Sequence, residues 1–98
     1  MSEILVKGTG AANSDEFTVS VGNPQTVSIY PEANFGADIG ILMKKNADET
    51  FDQVFLDGAV VEIGATNPQV LVVGLGVYRL EFAARTAAIG AFADRYDR

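Results

Sequence analysis

The stretch VVGLGVYRLEF, Val72 to Phe82, decides between two kinds of protein. Its Gly-Leu-Gly either cradles a phosphate or turns the chain between two strands. A dinucleotide-binding loop needs a third glycine, in the pattern Gly-x-Gly-x-x-Gly, and a helix whose N-terminus faces the pyrophosphate. Arg79 occupies that third position, and the residues that follow begin as a strand. We therefore expect a tight reversal at Gly74 and Gly76, with the Tyr78 hydroxyl bonded to a backbone group, as in the tyrosine corner of Greek-key sandwiches.

Five further segments alternate apolar and polar residues with the period of two that is typical of a half-buried strand. Short strands separated by turn residues indicate an all-β sandwich or a small barrel. We expect a single antiparallel β-sandwich, immunoglobulin-like or jelly-roll-like, of roughly seven to nine short strands. The segments, with the side chains expected on one face, are EFTVSVG (Phe17, Val19, Val21), QTVSIYP (Val27, Ile29), ADIGILMKK (Ile39, Ile41, Met43), DQVFLDG (Val54, Leu56) and AVVEIG (Val61, Ile63). The predicted core consists of Phe17, Val19, Val27, Ile29, Ile41, Val54, Leu56, Ile63, Val72, Tyr78, Leu80 and Phe82.

Turn residues punctuate these segments. GNPQ (22–25), NADE (46–49) and TNP (66–68) contain residues that accept positive φ, preset φ or bond their own backbone. The pair Asp57-Gly58, between QVFL and AVVEI, predicts a β-hairpin. Residues 8–15 and 31–37 are expected to be loops. Because no repeat, linker or charge block divides the sequence, we expect one domain over residues 1–98.

The segment YRLEFAARTAAIGAFADRY, residues 78–96, fits two periods. It alternates as a strand, and it also places Phe82, Ile89, Phe92 and Tyr96 at helical spacings. Gly90 in its middle, the missing N-cap and the β-branched residues before it disfavour a helix. We therefore favour two strands, broken near residues 85–86, over a helix.

Composition excludes most catalytic chemistry. The 98 residues contain no cysteine and no histidine, which removes thiolate nucleophiles, imidazole bases, disulfides and the usual zinc ligands. The net charge of −6 opposes nucleic-acid binding. No apolar run approaches the roughly 20 residues that span a bilayer, and the N-terminus does not read as a secretory signal, so we expect no membrane partner.

Paired carboxylates are the one catalytic option that composition leaves open. Asp48, Glu49 and Asp52 lie together, and a glycosidase needs two carboxyl groups about 5 to 10 Å apart in a cleft. No tryptophan provides a sugar platform, and the spacing is not that of a dedicated calcium loop. We therefore interpret these residues as a solvated hairpin tip and expect neither enzymatic activity nor a cofactor or metal.

Two strands carry apolar side chains on both faces. In PQVLVVGLG, Leu71 and Val73 lie opposite their apolar neighbours, and EILVK near the N-terminus shows the same pattern around Leu5. Such a strand is either covered on both sides or exposed to a partner. Leu5, Leu71, Val73 and Leu75 are thus candidates for a docking or subunit interface, with simple burial as the alternative.

From residue 45 to residue 97 the sequence resembles small β-sandwich proteins encoded among the virion structural genes of tailed bacteriophages. Their pattern is a strand ending in Lys, a polar hairpin, an x-Leu-x-Gly strand, an Asn-Pro…Gly-x-Gly-x-Tyr-Arg corner and a short final strand. Here these elements are Lys45-Asn46, Asp48, Leu56-Asp57-Gly58, Asn67-Pro68, Gly74, Gly76, Tyr78-Arg79 and Ile89-Gly90-Ala91.

The resemblance implies a non-enzymatic virion protein, made in the host cytoplasm, that decorates and cements the outer capsid shell. Its expected partners are the major capsid protein and further copies of itself. The alternative is a carbohydrate-binding or adhesive module of a head or tail fibre, with Tyr30, Phe35, Phe51 or Tyr96 as sugar platforms.

Overall fold

The computed structural model describes residues 2–31, 38–64, 67–86 and 88–95, and within these residues it contains strands and no helix. The prediction of an all-β fold is confirmed, and every strand pair is antiparallel. The described strands are β1 (Ser2–Gly8), β2 (Ala12–Asn13), β3 (Phe17–Val19), β4 (Gln25–Pro31), β5 (Ile39–Lys45), β6 (Phe51–Gln53), β7 (Phe55–Leu56), β8 (Ala59–Val60), β9 (Glu62–Gly64), β10 (Gln69–Val72), β11 (Gly76–Phe82) and β12 (Ile89–Arg95).

The strands form two sheets and one separate hairpin. The first sheet has the order β1-β12-β4-β10. In the second sheet β11 lies beside β5; β2 and β3 line the far side of β11, and β6 and β9 line the far side of β5. The β7–β8 hairpin interrupts the path from β6 to β9. The described strands number twelve, more than the seven to nine expected from sequence; counting β2 with β3 and β6 with β9, the two sheets contain eight segments.

The eight segments pair as a long hairpin that has been rolled up. β1 pairs with β12, β2 and β3 with β11, β4 with β10, and β5 with β6 and β9. The first half of the chain thus pairs with the second half in reverse order. Two further pairings, β12 with β4 and β11 with β5, join the arms into two sheets.

Side chains from both sheets form one hydrophobic core. Nine of the twelve predicted core residues are buried, and Val54 packs against the core from a half-buried position, so alternation located most of the interior. The predictions for Ile41 and Leu56 are wrong, since Ile41 is half-buried and Leu56 is exposed. Apolar residues that the prediction omitted complete the core: Ile4, Leu5, Leu42, Ile89, Ala91 and Ala93.

The error at Ile41 is an error of phase along β5. Gly40 and Leu42 are the buried positions of this strand, so Ile41 lies on the opposite face. A glycine occupies the inner register because a Cβ at residue 40 would lie 2.5 Å from Cζ of Phe82, a core ring. The sequence pattern predicted that the face with the bulkier side chains points to the core. In the structure the face that contains Gly40 points to the core.

The predicted hairpin at Asp57-Gly58 is confirmed. β7 and β8 pair across these two residues, whose φ angles are 54° and 80°, as a two-residue type I′ turn requires. The hairpin projects from the edge of the second sheet, and the backbone N–H of Val61 donates to the Val54 carbonyl at 2.8 Å to close its base. Leu56 is 68% exposed because it lies on this projection.

The segment that fits both a strand and a helix forms two strands, β11 and β12, so the helical alternative is wrong. The break at residues 85–86 is confirmed and held by polar contacts. Arg85 is buried and donates hydrogen bonds to the backbone carbonyls of Val6, Thr9, Gly10 and Ile89. The buried carboxylate of Asp38 accepts hydrogen bonds from the N–H and hydroxyl of Thr86.

The Gly-Leu-Gly stretch forms the predicted corner between β10 and β11. The Tyr78 hydroxyl donates to the Gly74 carbonyl at 2.6 Å, and its buried ring stacks on Phe17 with 5.9 Å between centroids. Gly76 has a φ of 148°, and a Cβ there would lie 2.8 Å from Cε of Lys44. The Gly-Leu-Gly stretch therefore forms a corner that connects β10 of the first sheet to β11 of the second.

Candidate interaction surface

Four exposed apolar side chains gather at one end of the sandwich. Leu71, Val73 and Leu75 are 48%, 65% and 55% exposed, and Val21 is 86% exposed. Leu71 lies on β10, and Val73 and Leu75 lie on the corner that follows. Val19 pairs with Gly76, and Gln25 pairs with Val72. The turn between β3 and β4, which contains Val21, therefore lies beside the corner between β10 and β11. We call Val21, Leu71, Val73 and Leu75 the edge patch.

Three of the four interface candidates predicted from sequence, Leu71, Val73 and Leu75, are in the edge patch, whereas the fourth, Leu5, is buried. Leu5 is only 9% exposed and is part of the core. The register of β1 against β12 shifts on both sides of Leu5, so the neighbouring Ile4 and Leu5 are both buried while Val6 is 72% exposed. Simple alternation cannot show such an irregularity.

Val21 is a surface residue that the sequence pattern did not predict. The alternation EFTVSVG predicted that Val21 continues the inward face of Phe17 and Val19. β3 ends at Val19, however, and Val21 lies in the turn closed by the hydrogen bond from the Asn23 N–H to the Ser20 carbonyl at 3.0 Å. The signal that places Val21 outside is the Gly-Asn-Pro that follows it.

The edge patch lies on two segments without charged residues, with Lys44 of β5 at its border beside Gly76. Residues 17–31 and 67–78, which contain it, include no acidic or basic side chain, although 20% of the whole chain is charged. Apolar side chains that lie together without charge are typical of the central part of a protein interface. These two segments can therefore bury apolar area without desolvating a charge of their own.

The acidic residues around 48–52 form the tip of the β5–β6 hairpin, and the predicted turn is confirmed. Asp48 accepts hydrogen bonds from the hydroxyl and N–H of Thr50, and these lower the pKa of the Asp48 carboxyl. Asn46 donates to Asp52 at 2.8 Å. Asp48, Glu49 and Asp52 are all exposed, so the tip lies on the surface and not in a cleft. Within the described residues, no group of three or more acidic side chains is placed to hold a metal ion.

The candidate sugar platforms do not form one site. Tyr30 lies on β4 in the first sheet, whereas Phe51 lies on β6 in the second. Tyr30 bonds to Glu3, which together with burial raises the pKa of the Tyr30 hydroxyl, and its ring is 4.5 Å from that of Phe92. The guanidinium of Arg79 lies 3.9 Å from the Phe51 ring centre and covers one face. Phe35 and Tyr96 lie outside the described residues.

A groove of about 300 Å³ lies between β1 and the β2–β3 region, with Glu3, Asn13 and Asp15 among its lining residues. Arg85 also lines it, but the guanidinium is engaged by four backbone carbonyls of the chain itself. Arg85 therefore has a structural role in the groove wall, and the other charged residues that line the groove, Glu3 and Asp15, are acidic. We see no arrangement for catalysis in it.

Comparison of the chain with protein-family models, with curated proteins and with solved structures found no match. No helix in the described residues is long and apolar enough to cross a membrane.

Proposed function

We propose that this protein is a non-enzymatic virion structural protein that decorates and stabilises the outer capsid shell of a tailed bacteriophage. The observation that carries the proposal is the edge patch, four exposed apolar side chains on two segments without charged residues, in a molecule of net charge −6. The sequence resemblance supplies the kind of partner, the major capsid protein. Neither nucleic acid nor a membrane is part of the proposal.

The strand order supports a jelly-roll assignment for the sandwich. In units of the eight segments, the sheets run 1-8-3-6 and 2-7-4-5, which is the order of a rolled-up antiparallel hairpin. Jelly rolls recur in viral capsid and lectin domains. This architecture agrees with the proposal, but a fold by itself does not determine a function. The edge patch is therefore the observation that supports the proposal.

A decoration protein strengthens a shell by adding buried interface that spans neighbouring coat subunits. Stable protein interfaces bury about 1,200 to 2,000 Å² in total, with an apolar centre and a polar rim. The edge patch provides an apolar centre, and the uncharged polar residues of the same two segments provide part of a rim. A protein of this kind needs no catalytic group, only a surface that repeats with the lattice.

The proposal is tested by co-sedimenting the purified protein with expanded shells of the major coat protein from the same source genome. We expect saturable binding in a fixed ratio to coat subunits, and its loss in the double variant Leu71→Asp/Val73→Asp. Val6→Asp is the matched control, because Val6 is a comparably exposed valine on β1, at the opposite edge of the same sheet. Far-ultraviolet circular dichroism establishes that all variants are folded.

Absence of binding by the wild type at micromolar concentration would overturn the decoration role and make a glycan-binding screen the next experiment. Equal loss of binding in Val6→Asp would show that the edge patch is not the contact. Either result leaves the β-sandwich unchanged and rejects the function assigned to its surface.

A further inference from the structure

The outer edges of the two sheets differ in how they are protected against pairing with another strand. β1 carries Glu3 and Lys7 and has two shifts of register. β2, β3, β6 and β9 are only two or three residues long, and β6 and β9 carry Asp52 and Glu62. Short length, charge and irregular register are devices by which proteins prevent edge-to-edge association. β10 is longer than these short strands, uncharged, and pairs with β4 without a shift.

Among the described residues no strand pairs with the outer side of β10, and the β4–β10 ladder determines where its backbone hydrogen-bonding groups lie. The N–H of Ile29 donates to the Pro68 carbonyl at 3.1 Å, which makes this pair a hydrogen-bonded position of the β4–β10 ladder. Antiparallel ladders alternate such positions with positions whose N–H and C=O groups point away. It follows that Val70 and Val72 bond to β4, and that Gln69 and Leu71 direct their N–H and C=O groups to the open edge.

We propose that β10 pairs antiparallel with β10 of a second copy of this chain, about a two-fold axis at Leu71. In this register Leu71 lies opposite Leu71 of the second copy, and Gln69 lies opposite Val73. A second copy fits because none of these residues is charged, so the pairing brings no like charges together although each chain carries −6. A two-fold contact also uses each open edge once and closes, which limits assembly to a dimer.

The dimer is independent of the proposed function and compatible with it. Strand pairing uses the backbone in the plane of the sheet, whereas side chains stand perpendicular to that plane. Leu71 therefore remains on the outer surface of the first sheet, next to its counterpart. Two edge patches then form one larger apolar surface, which would bind a repeating lattice at two points and gain avidity.

Sedimentation velocity of the purified protein without any shell tests this proposal. We expect the apparent mass to rise with concentration from the 10.4 kDa of one chain toward twice that value. Leu71→Lys and Leu71→Glu should each remain monomeric, because the axis places residue 71 opposite itself and equal charges repel. An equimolar mixture of the two variants should recover the dimer, since Lys then faces Glu.

A second pair of variants addresses the backbone directly. Leu71→Pro removes the N–H that points to the open edge without removing a β4–β10 bond, whereas Leu71→Ala keeps that N–H and shortens the side chain. We expect loss of the dimer in the proline variant and its retention in the alanine variant. Circular dichroism checks the fold of each.

A wild type that stays monomeric at all concentrations would overturn the proposal. So would a dimer that persists in both charged variants, since its interface would lie elsewhere, or a mixture that fails to associate, since residue 71 would then not face itself. Because no shell is present, these outcomes are separate from success or failure of capsid binding.

Discussion

Replacing Tyr78 by Phe removes the hydroxyl that ties the corner between β10 and β11 and leaves the ring in place. The hydroxyl donates one hydrogen bond, 2.6 Å long, to the Gly74 carbonyl. A typical intramolecular hydrogen bond contributes about 0.5 to 1.5 kcal/mol, and an acceptor left unpaired in the interior costs about 1 to 3 kcal/mol. Gly74 is exposed, so water can reach its carbonyl after the substitution. We therefore expect a loss of about 1 kcal/mol in the free energy of unfolding.

Thermal unfolding followed by far-ultraviolet circular dichroism measures this loss, since the chain has no tryptophan to report by fluorescence. For a domain of this size, about 1 kcal/mol lowers Tm by roughly 4 to 8 °C. Tyr30→Phe is the control, because the hydroxyl of Tyr30 bonds to an exposed carboxylate at the surface. We expect a smaller change in Tm there.

The same side chain gives a dependence on pH. Burial raises the pKa of Tyr78, so the folded state favours the neutral phenol. Its stabilisation is complete below the ordinary pKa of about 10 and is lost as pH rises through the higher pKa of the folded state. Tyr78→Phe should thus lose less stability than the wild type above pH 10. An unchanged Tm at neutral pH, or identical alkaline losses in the two proteins, would refute the assignment of the hydroxyl as a buried, stabilising donor.

Three further substitutions test the packing and the hairpin tip. Gly40→Ala should destabilise the fold by about 1 to 3 kcal/mol in urea unfolding, because the new methyl overlaps the ring of Phe82, which is 2% exposed and cannot move aside. Gly90→Ala overlaps the ring of Tyr30 instead, which is half-buried at the surface and can turn outward, so we expect a clearly smaller loss; equal losses would contradict this account. Asp48→Asn should flatten the acid limb of a Tm profile between pH 2 and 6, because a lowered carboxyl pKa stabilises the fold above about pH 4 and that contribution is lost as pH falls; parallel profiles would argue against it.

Local patterns predicted the parts of the fold that are specified locally. The corner at Gly76 and the hairpin at Asp57-Gly58 depend on backbone conformations that few residues adopt, so their sequences are informative. Alternation located β3, β4 and β11 for the same reason, since each has one apolar and one polar face. In these elements neighbouring residues contain the information that the structure uses.

The errors fall where the deciding partner is distant in sequence. The inner face of β5 is set by the ring of Phe82, which needs a glycine opposite it, and the apolar residues on both faces of this strand conceal the phase. Leu5 turns inward because β1 shifts its register against β12, a contact between the first and the last of the described strands. The candidate surface was predicted at Leu71, Val73 and Leu75, whereas Val21 joins it through the pairings of β3 with β11 and of β4 with β10.

The position of β12 has a consequence for how the chain reaches its native state. This strand lies between β1 and β4 in the middle of the first sheet, although it is the last of the described strands along the chain. Until β12 is made, β1 has no strand to join it to the β4–β10 pair, so the first sheet cannot be completed during synthesis of the earlier strands. Sheets built from such distant pairings fold slowly, in about milliseconds to seconds, and the strands made earlier keep unpaired edges until then. A synthetic peptide with the sequence of β12 is therefore a candidate to complement a chain from which that strand has been deleted.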